Sequence, residues 1–543
     1  MAELRQSPEV AEVVIVGAGA SGSIAARHLA EAGFKVVCLE QGRQVGLEDF
    51  YTDSPAWELM QQKRWHPNPN TRGLPDDYPV NAEESDVNPL MYNAVGGSTV
   101  IYAAHWHRFV PSDFRVKSLD GVADDWPISY ADLAPFYDAL DIEMGVSGLP
   151  GDPAFPPSPG PALPPLPIGK VGRKAAEGMN KLGWHWWPAV QAIPSRAYRG
   201  RSQCVRRGVC MYGCPEQAKG SMDLTHWPDA TRFGAKLITG ARVREITVDE
   251  RGYANGAIYV DRQGVEHLQR AEIVLLCCNG VGTPRLLLNS TSNRFPDGLA
   301  NSSGLVGRNL MMHPFAVVMG SFEDPLESWM GPNGQCIYSM QFYETDAKRG
   351  FVRGAKWNAQ GTGGPLGLRS ALGGKPLEEA WGAALHRSTR ERLGHSLEWG
   401  IIAEDLPDPN NRVVLDPELT DSDGIPAPKV IYKNSENTRK LISFHVARAK
   451  EALEASGAYA LSSTELMTDC GWHLMGSARM GDDPSHSVVD RWCRAHDVPN
   501  LYILDGSVFV TSSGFNPTAT ISAIALRATL NIIENRGSLE RAA

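Results

Sequence analysis

The chain has 543 residues, enough for a large buried core and for more than one domain. Charged residues make up 21% and hydrophobic ones 42%, which excludes wholesale disorder, a collagen-like chain and a coiled coil. With 52 Lys and Arg against 62 Asp and Glu the formal charge is −10, so nucleic-acid binding through a basic surface is not expected. In chain order, the start Met-Ala-Glu-Leu-Arg-Gln has no apolar run and no twin arginine, and no window approaches 18 apolar residues. The expectation is a chain with no membrane span and no export signal of its own: cytoplasmic, or periplasmic only if a signal-bearing partner co-exports it.

Residues 12–16 (Glu-Val-Val-Ile-Val) read as a buried strand, Ser23 to Ala32 as a helix, and Phe34 to Leu39 as a second strand closed by Glu40. This is a βαβ unit. Its turn, Gly17-Ala18-Gly19-Ala20-Ser21-Gly22, matches G-x-G-x-x-G in the context that pattern requires, with an acid 18 positions after Gly22. Gly17 permits the tight turn, Gly19 lets backbone approach a pyrophosphate, and Gly22 lets helix and strand pack. The helix N-terminus beside Ser21 stabilises the anion, and Glu40 is expected on the ribose hydroxyls. The fingerprint leaves FAD and NAD both open.

A segment with nine prolines, residues 150–167, reads as an irregular surface connection. Trp184-His185-Trp186-Trp187 is either a stacking surface for a ring or a partly buried strand. Residues 235–248 and 256–261 alternate as strands do, and Glu272 to Cys278 is a buried run. The stretch 316–464 is less patterned, with glycine-rich loops at 361–374 and a strand-like 399–403. Leu501 to Leu504 reads as a strand, followed by a helix over about 517–534. There is no internal repeat, and no G-x-S-x-G elbow, Walker A loop or H-E-x-x-H, so hydrolase, NTPase and zincin readings lack support.

Nine cysteines are too many and too scattered for a complete disulfide framework. Only Cys204, Cys210 and Cys214 cluster, as C-x5-C-x3-C-P. Three thiolates on one loop suit an iron–sulfur cluster, and with no fourth cysteine nearby the inference is a three-iron (3Fe–4S) one. Arg206, Arg207 and Lys219 would offset its negative charge. Buried thiols or a disulfide, and zinc (which would need a histidine the loop lacks), are the competing readings.

Val95-Gly96-Gly97-Ser98-Thr99, with Asp113-Phe114 and Asp125-Trp126-Pro127-Ile128 downstream, resembles the first signature of the glucose-methanol-choline (GMC) flavin oxidoreductases. Asn279-Gly280-Val281-Gly282-Thr283-Pro284-Arg285 is similar to their second signature, and Val306-Gly307-Arg308-Asn309-Leu310 leading to His313-Pro314 also fits. His473-Leu474-Met475-Gly476-Ser477, Asp505-Gly506-Ser507 and Gly514-Phe515-Asn516-Pro517-Thr518 complete the set, while residues about 320–395 add nothing to it.

The resemblance implies an α/β fold: a Rossmann-like FAD-binding domain interrupted by a mixed-sheet substrate-binding domain. The FAD-binding domain would take 1–315, the substrate domain 316–464, and a C-terminal return 465–543 would carry the catalytic pair. FAD, bound covalently or not, would be held additionally by Gly96, Gly97, Ser98, Val243, Asp505, Gly506, Pro517 and Thr518. A small-molecule alcohol would lose hydride to flavin N5 with His473 as base, and Asn516, which can orient but not accept the proton, as its partner. The cysteine loop resembles that of catalytic subunits of bacterial FAD-dependent glucose, gluconate and fructose dehydrogenases, which implies a small subunit and a cytochrome or other electron acceptor. The alternatives are an oxidase that turns O2 into H2O2, a lyase that keeps FAD but transfers no hydride, and a redox-inert flavoprotein. The alcohol itself (sugar, polyol, aryl, sterol-like or xenobiotic) is not legible.

Overall fold

The computed structural model describes residues 4–7, 9–50, 57–60, 63–365 and 381–539. A short strand β1 (Arg5–Gln6) precedes β2 (Ala11–Val16), whose Val13, Val14 and Ile15 are wholly buried, as a β-branched run covered on both faces should be. β2 lies in parallel between β3 (Val36–Glu40) and β9 (Glu266–Leu276). Beyond β3 lies β6 (Lys236–Thr239), while β1 and β17 (Leu501–Ile503) add to β9, also in parallel. β7 (Arg242–Val248) and β8 (Ala254–Val260) continue from β9 in antiparallel order, completing an eight-stranded sheet.

The helices that follow β2 and β9, Ala20–Glu31 and Asn279–Asn289, start at the carboxyl edge of that sheet. Strand order reverses at β2, which is where a doubly wound sheet opens its ligand crevice.

A second, antiparallel sheet runs in the order β16 (Ala460–Thr464), β10 (Phe315–Ser321), β13 (Ser396–Ala403), β12 (Ala355–Gln360), β11 (Ile337–Ser339), β5 (Trp187–Pro188). It draws β5 from far upstream of its other strands. One face buries Trp357, Trp399, Ile401 and Leu397 with the helices Gly169–Leu182 and Glu436–Ala455. A third sheet pairs β14 (Arg412–Thr420) and β15 (Pro426–Tyr432) with β4 (Asn81–Ser85).

The tryptophan-rich segment is part of this packing: Trp187 is in β5, and Trp184 meets Phe342 and Trp357 edge-on. His185 and Tyr338 both bond Asp152, which pins the proline-rich connection to the second sheet. From residue 366 to 374 the glycine-rich loops lie outside the described residues. Among the described residues no helix is long and apolar enough to cross a membrane.

Candidate active site

The helix Ala20–Glu31 begins after Gly19 with no acidic residue in its first turn and no side-chain cap. Its first N–H groups and the positive end of its dipole are therefore left for an anion. Gly22 packs so tightly that a Cβ there would stand 2.0 Å from the Gly17 carbonyl oxygen. The turn at Gly97, with φ at +56°, crosses this one, and a Cβ on Gly97 would lie 2.8 Å from Gly19 Cα. Two glycine turns thus meet backbone to backbone and leave a floor free of side chains.

Glu40 closes β3 beneath that floor. Its two carboxylate oxygens accept from Ala18 N and Gly42 N, each at 2.7 Å, and burial pushes its pKa up to about 7. The acid expected to hold ribose hydroxyls therefore also braces the turn that carries Gly17 and Gly19.

A cavity of about 490 Å³ is lined by Gly17, Gly19, Ser21 and Glu40, and also by Gly97, Ser98 and Val243. The same cavity is lined by Asp505, Gly506, Pro517, Thr518, His473 and Asn516. Of the residues expected from sequence, Gly22 and Gly96 lie behind this wall; a Cβ on Gly96 would come within 3.0 Å of Asp223. Asp505 has both oxygens engaged by protein donors: Asn279 N and Thr283 Oγ1 on one, Ser507 N and Oγ on the other. It clamps the helix Asn279–Asn289 to the turn after β17. A bare glycine floor at a helix N-terminus, a buried acid beside it and this volume suit a dinucleotide such as FAD.

The catalytic end is set by a chain of hydrogen bonds. His313 Nε2 lies 2.7 Å from Ser513 O and 3.2 Å from Ser512 O. Carbonyls only accept, so Nε2 carries the proton and Nδ1 is a lone pair. His473 Nδ1, 2.7 Å away, must then donate to it. That leaves a lone pair on His473 Nε2, with Asn516 Nδ2 at 3.3 Å. Lys356 Nζ donates to Asn516 Oδ1 at 2.8 Å, which holds the amide oxygen on that side, and His105 Nδ1 stands 2.9 Å from the same oxygen and 3.1 Å from Nζ. The amide orientation follows from the other end, because the lone pair of His473 Nε2 calls for the N–H2 side of Asn516 and leaves its oxygen to Lys356.

Burial favours the neutral forms here. It drives His473 well below the ordinary histidine range, with His313, His105 and Lys356 adding to the effect. Burial takes His313 down to about 4 and depresses Lys356 strongly. His473 is thus held unprotonated.

Asn516 is positioned by the segment before it. Gly514 N donates to Tyr343 Oη at 3.0 Å, and that hydroxyl donates to Asp113 at 2.8 Å. Arg353, fully buried, bonds Asp113 and Glu404 at 2.8 Å each. This network ties the first sheet's surroundings to the second sheet at the residue that bears the amide.

Sequence reasoning missed His105, Lys356 and the role of His313, and it missed Asn358, Gln360 and Glu398, which also line the cavity. For Lys356, Asn358 and Gln360 the signal was the alternation Ala-Lys-Trp-Asn-Ala-Gln in β12.

Cys204, Cys210 and Cys214 share one half-buried loop, and Met211 within it lines the cavity. Burial raises the Cys204 thiol and pushes Cys210 up to about 11. Among the described residues, however, no three His, Cys, Asp or Glu side chains are gathered to hold a metal ion, so the loop is not a preformed cluster site. The basic residues expected to offset cluster charge are also engaged. Arg206 Nε donates to Gly331 O at 2.7 Å, Arg207 pairs with Glu216 at 2.6 Å, and Lys219 donates to the carbonyls of Val100, Tyr102 and Cys210.

Family models described as GMC oxidoreductase match residues 11–315 and 407–525. The chain is 41% identical to 2-methyl-1,2-propanediol dehydrogenase of Mycolicibacterium austroafricanum, over 96% of this chain and 95% of the other. It is 33% identical to the fructose dehydrogenase large subunit of Gluconobacter japonicus, over 95% and 97%. Among solved structures, pyridoxine 4-oxidase from Mesorbium loti superposes with a TM-score of 0.63 at 18% identity, covering 96% of this chain and 99% of that one.

Proposed function

The chain belongs to the GMC oxidoreductases, FAD-binding enzymes that act on alcohols, and on that footing we propose that it oxidises an alcohol to an aldehyde or ketone with His473 Nε2 as the base. The observation that carries this reading is the lone pair on His473 Nε2, which faces the Asn516 amide at 3.3 Å in the cavity that also contains the glycine floor. A substrate hydroxyl seated between them gives its proton to Nε2 and accepts a hydrogen bond from Asn516 Nδ2. Lys356 keeps that amide turned toward the hydroxyl, and His313 keeps the basic nitrogen on the substrate side. FAD, bound along the floor, supplies the acceptor for the hydride that leaves the carbinol carbon. As the C–H bond breaks, loss of the hydroxyl proton to a positioned base contributes about 10²–10⁴-fold.

Anaerobic addition of alcohols to the flavin-loaded protein tests the reading: bleaching of the flavin is expected, and no bleaching across alcohol classes refutes it. His473→Ala should lose at least a hundredfold in turnover while keeping its flavin.

The electrons are proposed to leave to an acceptor other than oxygen. The names of the two relatives support this, one a dehydrogenase and the other the large subunit of one, which also favours a partner subunit. An oxidase is the second reading, and oxygen consumption during turnover separates the two. The cysteine loop has the donor chemistry for a 3Fe–4S relay beside the cavity, although its thiols would need to close around the metal. Iron and acid-labile sulfide in anaerobically purified protein would support that relay, and their absence would remove it.

A further inference from the structure

β12 and β13 lie side by side with Lys356 opposite Ile402, Asn358 opposite Gly400, and Gln360 opposite Glu398. Strand alternation sends Trp357, Ala359, Leu397, Trp399 and Ile401 into the helix-covered core, so Lys356, Asn358, Gln360 and Glu398 occupy the opposite face. Lys356 reaches Asn516. Asn358, Gln360 and Glu398 line the cavity that holds His473 and Asn516.

This stripe is buried but not satisfied by the protein. Asn358 is 2% exposed and Glu398 8%. Asn358 Nδ2 donates to Gly334 O at 2.8 Å and to Gln360 Oε1 at 3.2 Å, yet its Oδ1 has no hydrogen-bond partner among the described residues. Glu398 accepts only from Gln360 Nε2 among the described residues, on one oxygen. Buried polar groups are normally paired, and leaving one bare costs free energy. Gly400 keeps the space between them open, since a Cβ there would come within 2.8 Å of Asn358 Nδ2.

The neighbouring wall differs. Phe315, Val317 and Ile402 line the same cavity and offer no side-chain polar atom. Residues two apart on a strand are separated by roughly 7 Å, so Asn358 stands about that far along β12 from the lysine that touches Asn516. A group a few bonds from the reacting carbinol can span that gap.

We propose that Asn358, Gln360 and Glu398 form a hydroxyl-binding subsite, and that the substrate is a diol or polyol whose second hydroxyl lies a few bonds from the carbinol that is oxidised. A hydroxyl donates one hydrogen bond and accepts others, which matches two waiting acceptors beside an amide that can also donate. The apolar remainder of the substrate lies on Phe315, Val317 and Ile402. The inference rests on the alcohol-oxidation reading at His473 and Asn516.

The test uses the flavin-loaded full chain with 1,4-butanediol and 1-butanol, which differ by one hydroxyl, and follows anaerobic flavin reduction over a range of alcohol concentrations. The wild type should favour the diol by at least tenfold in kcat/KM, since a site built to bond a hydroxyl rejects the analogue that lacks it. Asn358→Leu and Glu398→Leu should each lower diol kcat/KM by tenfold or more beyond any fall on 1-butanol, mainly through KM. Asn358→Ser and Glu398→Gln, smaller disturbances to folding, should show the same selective loss more weakly. Bleaching by 1-butanol with no preference for the diol, or equal losses on both alcohols, overturns the subsite alone. No bleaching by either overturns the alcohol reading and the subsite with it.

Discussion

His313 touches no substrate in this scheme, yet its removal should be visible in the chemical step. In His313→Leu the Nδ1–H of His473 loses its acceptor at 2.7 Å, and the carbonyls of Ser512 and Ser513 lose their donor. Only the longer contact from Asn516 Nδ2, at 3.3 Å, then favours the tautomer with its lone pair on Nε2, and the opposite tautomer presents an N–H to the substrate, which is no base. One hydrogen bond of this kind is worth about 0.5–1.5 kcal/mol net, so the ratio of active to inactive tautomer should fall by about 2- to 10-fold. A buried carbonyl left bare adds about 1–3 kcal/mol to the cost of folding, so a lower melting temperature is expected as well. Stopped-flow flavin reduction under anaerobic conditions should therefore slow by about 2- to 5-fold, far less than in His473→Ala, with flavin content kept. His313→Gln offers an oxygen to His473 Nδ1–H and an N–H to Ser513, and should recover most of the rate. If His313→Leu reduces its flavin as fast as the wild type, or if the glutamine variant recovers stability but none of the rate, the tautomer argument is wrong.

Two further outcomes follow from the same site. The reaction needs neutral His473, and burial lowers the pKa of that imidazole well below the usual value, so the base persists as pH falls through 6.5. A kcat/KM–pH profile should accordingly show its acid limb below pH 6.5, and a limb at or above that value would contradict the burial argument. Lys356→Met frees the Asn516 amide to turn and removes a neighbour that opposes protonation of His473. Flavin reduction should slow about tenfold, and the acid limb should move to higher pH; an unmoved limb would show that Lys356 acts through geometry alone.

What was legible in the sequence follows from how far apart the cooperating residues are. The nucleotide turn is local: Gly17, Gly19, Gly22 and Glu40 belong to one βαβ unit, so spacing alone reports their geometry. Even there the structure adds a role, because each Glu40 oxygen also accepts from a backbone N–H of the turn. His473 and Asn516 were reached only through their motifs. The tautomer chain that makes His473 useful runs through His313, 160 positions away, and the sequence presented that histidine only as the end of a pattern.

The stretch 316–464 resisted reading for a different reason. Polar–apolar alternation, as in Ala355–Gln360, ordinarily marks a strand with one face in the core and the other in water. Here Trp357 and Ala359 do face a core, but the other face is covered by the segments that carry His105, Gly334 and Asn516, with Lys356 and Asn358 almost fully buried. What converts an apparent solvent face into a site wall is the register with β13 and the segment that brings Asn516 against Lys356, neither of which has a local signature. The polar residues are therefore informative precursors only after the fold removes water from them. In that setting Asn358 Oδ1, unpaired among the described residues, marks where a ligand hydroxyl replaces the lost solvent.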